Sequence, residues 1–175
     1  MKRTPCLLLC LCLCLCTGVA LGAQYTAGGL FTITYDDQLL LDDTAYLAEN
    51  TDDHRWLFLL TDRTWLVDVS VEIIEGYEGF SLHEAAPDER ELYLMDVLDS
   101  MSDYKAESLG WIYAGDVPFL LIKLYDDEGG YLMAETVAGG CAIDFMIYYG
   151  DLETEADAAL EQVLRDVVST FVPVV

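Results

Sequence analysis

Basic residues are scarce in this chain: eight Lys and Arg stand against 32 Asp and Glu over 175 residues, a formal charge of −24 at pH 7. Nucleic-acid binding draws on neutralisation of phosphates by Lys and Arg, so this balance argues against a nucleic-acid partner and against a bare anionic lipid surface. It favours solubility, cations and basic partners. Cysteine is nearly absent beyond the first residues. Five of the six (Cys6, Cys10, Cys12, Cys14, Cys16) fall in the N-terminal segment and only Cys141 lies further on, so the rest of the chain can form no internal disulfide. Also missing are an HxH, HExxH or CxxC spacing, a G-x-S-x-G elbow and the EF-hand spacing, so no metal centre or activated serine is nominated by motif. The longest apolar run is shorter than the roughly 20 residues a membrane span needs.

What the N-terminus does hold is the pattern of a secretory signal. Lys2 and Arg3 precede a Leu/Cys run ending at Cys16, and small residues follow to Gly22 and Ala23. The pattern predicts cleavage after Gly22 or Ala23, with residues 1–23 as signal peptide and 24–175 as a single α+β domain, secreted or extracytoplasmic and without stable membrane insertion once cleaved. Lipidation is disfavoured because each cysteine from Cys10 to Cys16 follows a leucine rather than a small residue. With Lys2 and Arg3 removed and all acidic residues kept, the charge falls to −26. About 150 residues remain, enough for one core without staples.

The stretch from Thr154 to Phe171 organises the rest. Ala156, Ala159, Leu160, Val163, Leu164, Val167, Val168 and Phe171 recur at helical spacing and predict an apolar stripe lying on a sheet. Thr154 is the expected N-cap and Pro173 the expected stop. Upstream, Gln24 to Gly29 reads as a lead, and Leu30 to Tyr35 as a strand returning through Asp36 and Asp37 to Gln38–Leu41. Trp56–Leu60 and Trp65–Ile73 read as a hairpin, with Trp65, Val67, Val69, Val71 and Ile73 on one face and Asp68, Ser70 and Glu72 on the other. Residues 75–87 read as a mobile loop, and Asp88 to Tyr104 as a second helix capped by Asp88. Four further strands follow: Leu109–Ala114, Phe119–Tyr125, Tyr131–Val137 and Cys141–Tyr149. Their short links, Gly139 and Gly140 among them, make them antiparallel neighbours. Alternation in the second and third of these predicts a sheet covered on both faces. The fold class is therefore α+β, an antiparallel sheet of about six to seven strands covered by two main helices.

The segment FTITYDDQL at 31–39, the middle helix, the meander, and the last strand feeding a helix that ends Ser169-Thr170-Phe171 resemble the PsbP/Mog1/DcrB-like group. The resemblance implies an antiparallel sheet sandwiched by helices over nearly the whole domain. It fixes no activity, because that group spans a photosystem subunit, a nuclear-transport cofactor and exported bacterial proteins.

Candidate chemistry is thin. Cys141 opens a strand on the side of Ile143, Phe145 and Ile147, where a free thiol behaves as a small hydrophobe. His54 beside Asp52 and Asp53, and His83 beside Glu84, read as surface histidines. The acidic groups Asp36–Asp37, Asp42–Asp43, Asp52–Asp53 and 126–128 read as solvated turn carboxylates. No catalytic or cofactor-binding residue is nominated, no cofactor is expected and metal ligands are left open. The function that follows is an exported, acidic, non-enzymatic binding or accessory module presenting a sheet edge or residues 75–87 to an unknown protein partner. Two alternatives stand beside it: a hydrolase with paired carboxylates roughly 5 to 9.5 Å apart, and a weak calcium-binding surface protein.

Overall fold

A computed structural model of the chain describes residues 22–27, 29–36, 39–42, 56–61, 66–125, 129–149 and 154–174. Strands β1 (Ala23–Ala27), β2 (Phe31–Tyr35) and β10 (Val172–Pro173) form a small sheet in the order β1-β2-β10. Strands β3 (Leu40–Asp42), β4 (Trp56–Thr61), β5 (Leu66–Ile73), β6 (Lys105–Ala114), β7 (Val117–Tyr125), β8 (Gly130–Ala138) and β9 (Cys141–Tyr149) form a seven-stranded sheet in the order β3-β4-β5-β9-β8-β7-β6. Neighbouring strands in both sheets run antiparallel. Two helices complete the described residues, α1 (Pro87–Ser100) and α2 (Thr154–Ser169). The expected α+β architecture of a helix-covered antiparallel sheet holds.

Helix α2 and the small sheet lie on one face of the large sheet. Leu160, Leu164, Val167, Val168 and Phe171 are buried against Val67, Val69, Val71, Phe119, Phe145 and Ile147, as the helical stripe predicts, although Ala159 on that stripe is exposed. Phe31, Phe119, Phe145 and Phe171 meet at the centre, with ring centroids 5.0 to 6.4 Å apart. Each fully buried side chain of this size contributes roughly 1.5–3 kcal/mol by leaving water. The opposite face is covered by α1 and residues 74–86, which bury Leu82, Tyr93 and Val97 on Leu120, Ile122, Leu124, Met133 and Val137. Both faces are covered, as the alternation in β7 and β8 requires.

Four local expectations are corrected. Residues 23–27 are a strand rather than a lead. β2 pairs with β1, not with 38–41; the returning residues 40–42 join the large sheet beside β4. Pro173 does not simply end α2, because Val172 and Pro173 pair with Thr32 and Phe31. The side chain of Thr170 fastens that junction: its Oγ lies 2.6 Å from Thr34 O and 2.7 Å from Val167 O, and it accepts the Thr34 N–H at 2.9 Å. Finally, α1 starts at Pro87 with Ala86, not Asp88, as N-cap, and ends at Ser100. Ala86 has no side-chain acceptor, but Glu89 accepts its N–H at 2.7 Å, half of a capping box.

Residues 75–87 are also not a free loop. Leu82 N–H donates to Val137 O at 2.9 Å, Gly140 N–H to Phe80 O at 2.8 Å and Gly139 N–H to Ser81 Oγ at 2.9 Å. Arg90 donates through Nε to Leu82 O at 3.0 Å and through Nη2 to His83 O at 3.2 Å. The segment is pinned to the end of the β8–β9 hairpin because that turn leaves its amides facing it. Gly139 and Gly140 both have positive φ, 61° and 83°, and a Cβ on Gly140 would stand 2.7 Å from Tyr77 O. Glycine is required there on both counts.

Candidate functional site

The two-residue turn at Gly139–Gly140 sets the register of β8 on β9, and that register brings two acids together. Ala138 pairs with Cys141, and three steps back Glu135 pairs with Asp144. Asp144 in turn sits opposite Ser70 of β5. Ser70, Asp144 and Glu135 thus form one row across the face that α1 covers, with Asp68 two residues from Ser70 on the same side. Carboxylates directly opposite on neighbouring strands repel when both are ionised.

Hydrogen bonds resolve the conflict. Asp144 and Glu135 share a side-chain bond. Tyr93, brought over the sheet by α1, donates its hydroxyl to Glu135 Oε1, and Ser70 Oγ donates to Asp144 Oδ2 at 3.3 Å. Burial, then the neighbouring Glu135 charge, pushes the Asp144 carboxyl well above the usual carboxylate range. Burial also raises Glu135, but the bonds from Tyr93 and Asp144 pull it back. Both shifts favour a proton held within the pair, and the stronger upward push falls on Asp144, which we assign as the donor to Glu135. Burial and the Glu135 charge likewise push the Tyr93 hydroxyl far up, so it stays a donor. Asp68 is raised by burial alone. The Oδ1 atoms of Asp68 and Asp144 are sealed from water with no hydrogen-bond partner.

An open cleft of about 220 Å³ lies at the edge of this row, between α1, β8 and the start of the 74–86 segment. Tyr93, Asp96, Val97 and Ser100 line it at i, i+3, i+4 and i+7 of α1; Glu135, Ala142, Ile74 and Tyr77 complete it. Of the two paired acids only Glu135 reaches the cleft.

No family model matches the chain, and no curated protein does. The solution structure of cyanobacterial PsbP (CyanoP) from Synechocystis sp. PCC 6803 superposes with a TM-score of 0.52 at 14% identity, over 90% of this chain and 95% of that one. The fold is PsbP-like. A crystal structure from Bacteroides thetaiotaomicron matches with a TM-score of 0.43 at 13% identity, over 87% of this chain and 48% of that one. Identity this low speaks for the fold alone.

Within the PsbP-like sandwich the residues singled out from sequence stay apart. Cys141 opens β9, half-buried at the edge of the α2-side core, and burial pushes its thiol up. His83 is exposed, 3.8 Å from Glu84 and from no other described acid. His54, Asp37, Asp43, Asp52, Asp53 and residues 126–128 lie outside the described residues, as does the side chain of Asp42. Among the described residues no three His, Cys, Asp or Glu are arranged to hold a metal ion. No described helix is long and apolar enough to cross a membrane.

Sequence reasoning passed over Tyr93, Glu135 and Asp144. The signal was present: an acid in the middle of Cys141–Tyr149 and another in Tyr131–Val137, strands covered on both faces, with a Gly-Gly turn that dictates which residues oppose each other.

Proposed function

We propose that this chain is an exported, acidic, non-enzymatic accessory module that binds a basic protein partner. Export is supported by the basic, apolar and small-residue pattern of residues 1–23, and the choice of partner by the charge of −24. The observation that carries the non-enzymatic reading is that only one carboxyl of the acid pair lines the cleft. General acid–base hydrolysis needs two groups reaching the substrate with room between them for a water or a sugar, roughly 5 to 9.5 Å. Asp144 and Glu135 are instead in hydrogen-bond contact, and Asp144 does not line the cleft.

The test is binding of a labelled lysine-rich peptide, read by fluorescence anisotropy against its glutamate counterpart at about 0.15 M salt. Saturable binding of the lysine peptide alone is expected; equal or absent binding of both contradicts the reading. The hydrolase reading keeps one supporting observation, an acid pair sharing a proton beside a cleft. It predicts turnover of chromogenic glycoside or peptide substrates that disappears in Glu135→Gln.

A further inference from the structure

We propose that the cleft between α1 and the large sheet is a seat for a single lysine side chain of the partner. The inference rests on the reading of a basic partner and names where and how it is held. About 220 Å³ is below the roughly 300–1,000 Å³ of sites that take whole cofactors or drug-sized ligands, and suits one side chain. Its lining divides into two parts. Val97, Ile74, Ala142 and the rings of Tyr77 and Tyr93 offer apolar and aromatic wall to an alkyl stem. Glu135, Asp96 and Ser100 offer acceptors. The Ser100 hydroxyl already donates to Val97 O at 2.7 Å, so towards the cleft its oxygen can only accept. The cleft thus carries acceptors suited to the N–H bonds of an ammonium.

One further observation points to a cation. Glu135 is buried to 8% exposure and bonds only neutral donors, Tyr93 and Asp144; it forms no ion pair with any described residue. Buried carboxylates are ordinarily matched by a cation, and this one lies at the cleft with none. The same bonds choose between the two basic side chains. Glu135 already receives bonds from Tyr93 and Asp144, so it cannot present both oxygens as a free, planar edge to the fork of an arginine. A compact ammonium needs only one remaining lone pair.

The test is an amide-detected NMR titration of the full chain with Nα-acetyl-lysinamide, Nα-acetyl-argininamide and the uncharged Nα-acetyl-norleucinamide. Saturating shifts at Tyr77, Val97, Glu135 and Ala142 are expected with the lysine probe, weaker ones with arginine and none that saturate with norleucine. Asp96→Asn, an exposed position that folding does not need, weakens the lysine probe about threefold, and Glu135→Gln removes its saturation. Equal response to lysine and norleucine overturns the inference, as does the absence of shifts at those four residues. If the lysine-rich peptide binds while the single-residue probe leaves the cleft untouched, the lysine seat falls and the basic-partner reading stands. If the peptide fails as well, both fall.

Discussion

Tyr93 carries a hydroxyl from α1 into the sheet face and gives it to a buried carboxylate. Tyr93→Phe leaves Glu135 one donor short without opening a cavity, so we expect a loss of about 1–3 kcal/mol in urea unfolding. The two acids respond differently to amide replacement. Asn at 144 keeps a donor for Glu135 and an acceptor for Ser70, the pattern of a protonated Asp, so Asp144→Asn is expected to lie within about 1 kcal/mol of the native chain near pH 5. Gln at 135 points two N–H bonds at a site already supplied with the Tyr93 and Asp144 donors, so Glu135→Gln loses more, about 2 kcal/mol or above. The reverse order in denaturant midpoints would place the proton on Glu135. Residue by residue, the sequence shows which side chains are apolar and which faces they share. It does not show that Asp68 and Ser70, opposite Val67, Val69 and Val71, are part-buried rather than in water, because that depends on how later parts of the chain fold back over that face.

At the scale of elements, the hairpin β8–β9 does two jobs: its turn sets the register that opposes the acids, and its amides pin residues 74–86. Gly140→Ala forces a Cβ into positive φ and against Tyr77 O. A loss of about 2 kcal/mol is expected, with faster amide exchange at Leu82 and Gly140 as the sign that the segment has come loose. On the other face, Leu164→Ala truncates a side chain with no solvent exposure at the centre of α2 and is expected to destabilise by roughly 2–5 kcal/mol in the same unfolding experiment. The α2 stripe and the four-strand meander were legible because period and turn chemistry are local. β10 was not, because its pairing with β2, more than a hundred positions away, is decided by the Phe31–Phe171 stack and Thr170, contacts that leave no local pattern. β1 is the local hairpin partner of β2, passed over because its small and polar residues carry little strand signal.

For the whole molecule, the charge of −24 adds self-repulsion that salt screens, so added NaCl is expected to raise the unfolding midpoint of every variant alike. The acid pair adds a second, separable dependence on pH. A carboxyl whose proton is held more tightly in the folded state costs nothing below the unfolded value near pH 4. It destabilises progressively as pH rises from there to its folded value, at roughly 1.4 kcal/mol for each tenfold change in proton affinity. Asp144, Glu135 and Asp68 all act in this direction. Surface repulsion is common to the native chain and Asp144→Asn and cancels in their difference. The decisive measurement is therefore the unfolding free energy of both proteins from pH 4 to pH 8. The native chain should fall steadily below Asp144→Asn as pH rises, by more than about 1 kcal/mol at pH 8. Two curves that run parallel over that range would mean that no proton is trapped between β8 and β9.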